Sequence, residues 1–199
     1  MRHSSLSAFI KAAPTALKPK GPYAIVLLED AIEVQSTIAH CLKNGFTEVL
    51  VFGNPELHPE DAPGVHLISH NMHATDALTE VINTVIAACP GQWLHYCYNA
   101  EYLYFPFCES RNVRELTLFN MEERRETIMT YVVELYSYDL GKHPNAVSIE
   151  DAHLDRSGYY ALQRFTHDGH ALERQLDFFG GLRWRFEEHV PWAKRRIDR

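Results

Sequence analysis

No stretch of this 199-residue chain approaches the ~18 consecutive apolar residues that cross a bilayer. Met1–Lys20 lacks the apolar run and small-residue cleavage site of a secretory signal. A spanning protein and an exported one are both disfavoured, and a cytoplasmic location is expected. Cysteine is scarce: Cys41, Cys89, Cys97 and Cys108 include no C-x-x-C pair, so zinc and dithiol redox spacings are missing and reduced, mostly buried thiols are expected. Glycine-rich phosphate loops are absent too. Neither G-x-G-x-x-G after the first predicted strand nor G-x-x-x-x-G-K-[ST] occurs, which argues against dinucleotide dehydrogenases and P-loop enzymes. The missing G-x-S-x-G elbow disfavours an α/β-hydrolase.

Basic charge is scarce except at the ends. Met1–Lys20 holds four basic and no acidic residues and Arg183–Arg199 six against three, leaving nine basic and 23 acidic residues between them, a net of −14. Neutralising phosphates requires clustered Lys and Arg, so no nucleic-acid partner is expected. The basic termini could contact an anionic membrane surface from the cytoplasmic side, although solvated tails are the commoner use of such segments.

What remains is a globular composition, 46% hydrophobic and 23% charged, of about one domain's length. Residues 1–21, with Pro14 and Pro19, read as a flexible N-terminal arm before a domain over residues 22–199. Tyr23–Leu28, Glu48–Phe52, Val65–Ser69 and Trp93–Cys97 are short apolar runs predicting strands buried in a parallel sheet. Asp30 as N-cap and Glu33 as its capping-box partner predict a helix ended by Asn44-Gly45, and Thr75–Ala88 predicts another. Val113–Phe119 alternates like an antiparallel strand, Met121–Tyr138 has helical spacing, and the part after Asn145 reads as irregular. This order implies a layered α/β/α fold with a mostly parallel sheet, whose ligands sit outside the carboxyl ends of the strands.

Three segments carry a more specific signal. Ile38–Phe52, with His40, Gly45-Phe46 and Val49-Leu50-Val51-Phe52, resembles the "W-x-x-H-x-x-x-x-G-F-x-x-[IV]-x-[VI]-[YF]-D-N" pattern of family 2-like glycosyltransferases. Trp93–Pro106 resembles their "W-x-x-x-x-D-x-D-E-F-L-x-x-P" segment, and Arg124–Asp139, with Leu135-Tyr136, a later helix. The resemblance covers roughly Pro22–Leu140. It implies a GT-A fold, a nucleotide-sugar donor, a saccharide or glycan acceptor, and transfer by inverting displacement. It also implies a magnesium or manganese ion held by the two acidic residues of D-x-D. Here those positions are Tyr98 and Ala100, only Glu101 survives of the acidic cluster, and no metal ligand is assigned. A non-catalytic homologue that binds a saccharide or a partner is therefore the alternative.

On this basis the donor would be held by Leu28, Glu29 and Asp30 after the first strand, Asn54 after the second, and Tyr98 and Asn99 after the fourth. Catalysis would rest on Glu101 and on Asp151 or Glu150, one of which would take the proton of the acceptor hydroxyl. His40 lies on an apolar helix face and reads better as a satisfied core histidine than as a ligand. His66, His70, His73, His167 and His170 lack zinc spacing. The aromatic residues Tyr96, Tyr98, Tyr102, Tyr104, Phe105 and Phe107 suit either a stacking platform or strand-end packing. Arg195–Arg199 resembles the lead-in to a further strand of the family, which makes a truncated form of a longer transferase the expectation.

Overall fold

A computed structural model describes residues 1–130, 132–133, 135–154 and 167–170. The regular elements in chain order are β1 (Arg2–His3), α1 (Leu6–Ala16), β2 (Tyr23–Leu27), α2 (Val34–Lys43) and β3 (Glu48–Gly53). A 3-10 turn (Pro55–Leu57), β4 (Val65–Ser69), α3 (Ala77–Ala88), β5 (Leu94–Tyr98), α4 (Val113–Glu122), β6 (Leu135–Ser137) and β7 (Ala152–Leu154) follow. The chain divides into two compact units, one over Met1–Ile128 and a second beginning at Met129.

In the first unit the five strands pair in the order β1-β4-β3-β2-β5, and every pairing is parallel. β2 lies between β3 and β5, with Tyr23–Leu27 in register with Glu48–Phe52 on one side and Leu94–Tyr98 on the other. A strand flanked and covered on both faces must be apolar at every position, which is why the Tyr-Ala-Ile-Val-Leu run does not alternate. Ala24, Val26, Leu28, Val49, Val51, Leu67 and Cys97 form one core with Val34, Ile38 and Cys41 of α2 and Val113 of α4. On the opposite face Phe9 of α1 meets Phe52 edge-on at 6.0 Å, and α1 packs against α3.

α2 presents Val34, Thr37, Ile38 and Cys41 to the sheet at helical spacing and stops where Gly45 takes φ +91°. A side chain there would also meet Asn112, whose Cβ lies 3.0 Å from the position a Cβ would take.

Four expectations are corrected. Residues 1–21 are not a loose arm: β1 joins the sheet beside β4, and α1 is capped by Ser5, whose Oγ accepts from Ala8 N at 3.1 Å. Leu6, Phe9 and Ala13 are buried, and burial of the first two, roughly 1.5–3 kcal/mol each, offsets the ~3 kcal/mol disadvantage of Pro14 inside the helix. Asp30 does not cap α2, which begins four residues later after Glu33 in the left-handed region at φ 53°. Val113–Phe119 is helical, because Asn112 and Glu115 close a capping box and Val113, Thr117 and Asn120 share the buried face. The helix expected over Met121–Tyr138 is absent: α4 ends at Glu122, and Leu135–Ser137 pairs antiparallel with Ala152–Leu154 in the second unit.

Candidate functional site

The strand order reverses at β2. The chain steps outward from β2 through β3 to β4, then crosses to β5 on the other side, so a crevice is expected between the carboxyl ends of β2 and β5. Leu28, Glu29 and Asp30 leave β2 there, and Tyr98–Glu101 leave β5.

Asn99 ties the two together. Its backbone N–H donates to Leu27 O at 3.1 Å, and its side-chain Oδ1 accepts from Glu29 N at 2.9 Å. Its Nδ2 donates to Asp30 Oδ1 at 2.6 Å and to Ile32 O at 2.9 Å. One amide side chain thus shapes the whole turn after β2. Asp30 Oδ1 also accepts from Ile32 N at 2.8 Å, so this carboxylate holds the loop that carries it. Glu101 closes a similar ring on its own strand end, its Oε2 accepting from Tyr98 N at 2.8 Å.

A second layer lies behind. Ala100 has φ 60° and Glu33 φ 53°, both in the left-handed region that non-glycine residues seldom adopt. Thr37, fully buried, links them: its Oγ1 accepts from Ala100 N at 2.9 Å and donates to Glu33 O at 2.6 Å. Two strained residues joined through one hydroxyl, one capping α2 and one just past β5, are the kind of local cost that persists where a site is built. Ser36 Oγ lies 2.8 Å from the Tyr102 hydroxyl and also bonds Glu33 Oε2, with Tyr102 donating to the same oxygen at 3.4 Å. Burial is the main cause that raises the Tyr102 phenol, which therefore stays protonated and able to donate at neutral pH. Glu33 and Ser36 line an open cleft of about 400 Å³ with Ala31, Val34, Gln35, Leu57 and Pro59.

The residues expected at the site fall into four groups. Glu29, Asp30, Tyr98, Asn99 and Glu101 come together at the crevice. Leu28 does not face it, since its side chain is 1% exposed in the core and backs onto Gly53. Asn54 begins the 3-10 turn after β3, its carbonyl accepting from Leu57 N at 2.9 Å. Glu150 and Asp151 belong to the second unit, where Asp151 Oδ2 accepts from Ser137 Oγ at 3.1 Å and His153 Nδ1 lies 3.8 Å from Oδ1.

His40 has the structural role expected of it. Its Nε2 lies 2.8 Å from Leu103 O, and Asn44 Nδ2 donates to the same carbonyl at 2.9 Å, which pins the segment after β5 onto α2. The aromatic residues of that segment divide: Phe105 packs on the core, whereas Tyr104 and Phe107 are 72% and 74% exposed.

Glu33, Ser36 and Thr37 were not anticipated as site residues. Glu33 reads in the sequence as a capping partner, and its positive φ leaves no local signature there. The polar pair Ser36-Thr37 within an otherwise apolar helix face is the one visible hint.

The residues at the crevice do not fit the divalent ion that the resemblance implies. Tyr98 and Ala100 stand at the two carboxylate positions, and the Asp30 and Glu101 carboxylates each accept an N–H from the chain around them. Among the described residues no three His, Cys, Asp or Glu side chains are grouped to hold a metal. No helix of the described residues is long and apolar enough to cross a membrane. Of the basic residues near the amino terminus, Arg2 pairs with Asp61 at 3.2 Å and Lys18 with Glu48 at 3.5 Å.

No protein-family model, curated protein or solved structure matches the chain.

Proposed function

We propose that this protein is a glycosyltransferase of family 2 type with a GT-A-like fold, binding a nucleotide sugar at the carboxyl ends of β2, β3 and β5. The observation that supports this reading best is the meeting of the β2 and β5 ends at the strand-order reversal, with Asn99 shaping the turn that would receive the donor. Transfer is a single inverting displacement. The acceptor hydroxyl gives its proton to a general base as its oxygen forms the new bond to the anomeric carbon. The bond from that carbon to the diphosphate breaks, and the nucleoside diphosphate leaves with the electron pair. No step is assigned to a metal ion, because the crevice residues do not supply the ligand pair.

A specific observation favours a second reading, a non-catalytic homologue that binds a saccharide or a partner. Two of the crevice carboxylates, Asp30 and Glu101, already serve the local backbone, and the D-x-D positions carry Tyr98 and Ala100. The experiment that separates the two is a thermal-shift screen of uridine and guanosine diphosphate sugars with and without manganese, followed by an assay for released nucleoside diphosphate. Ligand at 100 times its Kd stabilises by about 2.7 kcal/mol. Donor binding with turnover supports the transferase, and donor binding without turnover supports the second reading. Absence of any nucleotide-sugar binding overturns the donor site.

A further inference from the structure

We propose that the buried chain His3, His66 and Glu48 is a proton-operated latch that holds β1 and α1 on the sheet and releases them in acid. His3 Nε2 lies 3.2 Å from His66 Nδ1, and His66 Nε2 lies 3.4 Å from Glu48 Oε2. The three residues are 7%, 4% and 3% exposed. They sit on three adjacent strands, β1, β4 and β3, so the chain crosses the seam by which the first element is attached. That seam is short. β1 pairs with β4 over only Arg2 and His3, and Phe9, the fully buried anchor of α1, stands edge-on to both imidazoles at 5.2 and 6.2 Å.

The hydrogen-bond count gives the device its sensitivity. With both rings neutral, His66 gives its Nε2 proton to Glu48 and its Nδ1 accepts the Nε2 proton of His3, so each shared position has one donor and one acceptor. One added proton can be absorbed if His3 changes tautomer, leaving an imidazolium beside Glu48. A second leaves two N–H groups facing each other and two cations in an apolar pocket.

The surroundings do not compensate. The Met1 amino group, on Val65 O at 2.8 Å and 4.0 Å from the exposed Asp61 carboxylate that also pairs with Arg2, and Lys18, 3.5 Å from Glu48 Oε1, add positive charge beside the histidines, where Glu48 is the buried carboxylate. From the other elements packed here, β2 presents the Tyr23 phenol beside Glu48, raised by burial and so neutral between about pH 5 and about pH 7.5, and α1 presents the ring of Phe9. Burial, the largest cause for each ring, pushes both imidazoles below the usual histidine value. The folded state therefore binds fewer protons at these rings than the unfolded state as the pH falls through about 6.5.

Amide hydrogen exchange on the full chain at about pH 7.5 and about pH 5, corrected for intrinsic rates, tests the latch. Opening of residues 2–16 should rise by at least roughly tenfold in acid while Tyr23–Leu27 keeps its protection, a tenfold change being one proton linked over one pH unit. His3→Gln, whose amide can still bond His66 but does not titrate, should lose most of that acid response. Imidazole titration by NMR on the unaltered chain gives a readout independent of any variant's folding. Opening that does not change with pH, titration of both rings at or above the ordinary value, or an undiminished acid response in His3→Gln would each overturn the proposal.

Discussion

Gly53 and Leu28 occupy one space at the ends of neighbouring strands: a Cβ on Gly53 would stand 2.8 Å from Leu28 Cβ. Gly53 is also where the glycosyltransferase pattern carries aspartate. The position is therefore closed to a side chain by the packing of β2 and β3. Gly53→Asp should destabilise the fold by about 1–3 kcal/mol through overpacking and should not create a metal site. Denaturant unfolding together with manganese titration checks both, and an undestabilised, manganese-binding variant would contradict the packing argument.

Asn99→Ala removes the acceptor for Glu29 N and the donor for Asp30 Oδ1 and Ile32 O. Part of the turn is open to water, so the expected loss is about 1–2 kcal/mol. Any nucleotide-sugar affinity should fall with it, because the turn loses its shape. Chemical denaturation and calorimetric titration of the variant measure the two effects separately.

Glu101→Gln keeps one oxygen able to accept from Tyr98 N while removing the charge and replacing the other oxygen by an NH2 group. The variant should melt within a few degrees of the parent and, on the proposed function, lose any glycosyl transfer. A collapse in melting temperature would assign Glu101 to the scaffold, and retained transfer would remove it from the catalytic set.

His95 stacks on Phe46 at 5.6 Å, and burial, with a smaller contribution from His40, pushes its pKa down to about 4. A depressed histidine is neutral in the fold. Its contribution to stability is complete above the unfolded value of about 6.5 and is lost progressively as the pH falls from there to about 4. Over that window the group adds up to about 1.4 kcal/mol per pH unit to the slope of stability against pH. His95→Phe should flatten this acid limb, as measured by urea unfolding at a series of pH values.

How much was legible depended on the range of the interaction. Val65–Ser69 matches its strand residue for residue, and the three other apolar runs lie within a residue of theirs; for β2, burial on both faces demands uninterrupted apolar side chains. The α1 and α4 errors share one cause. Leu6, Phe9 and Ala13, and likewise Val113, Thr117 and Asn120, carry helical spacing, but prolines in one case and a local alternation in the other masked it. Arg195–Arg199, which resemble the lead-in to a further strand, lie outside the described residues.

Local order in the amino acids by itself determined the parallel α/β layering, the strand ends as the place to look, and that positions 98 and 100 carry no carboxylate. The tertiary structure decided which of those strand-end residues are available. Leu28 became core, Asp30 and Glu101 became supports for their own loops, and Glu33 and Ala100 became a strained pair joined through Thr37. Asn99 and Glu29 are 70 residues apart in the chain, and their bond exists only because β5 pairs with β2. Periodicity is a short-range property of the chain, whereas a hydrogen bond between two loops depends on which strands the whole sheet has made neighbours.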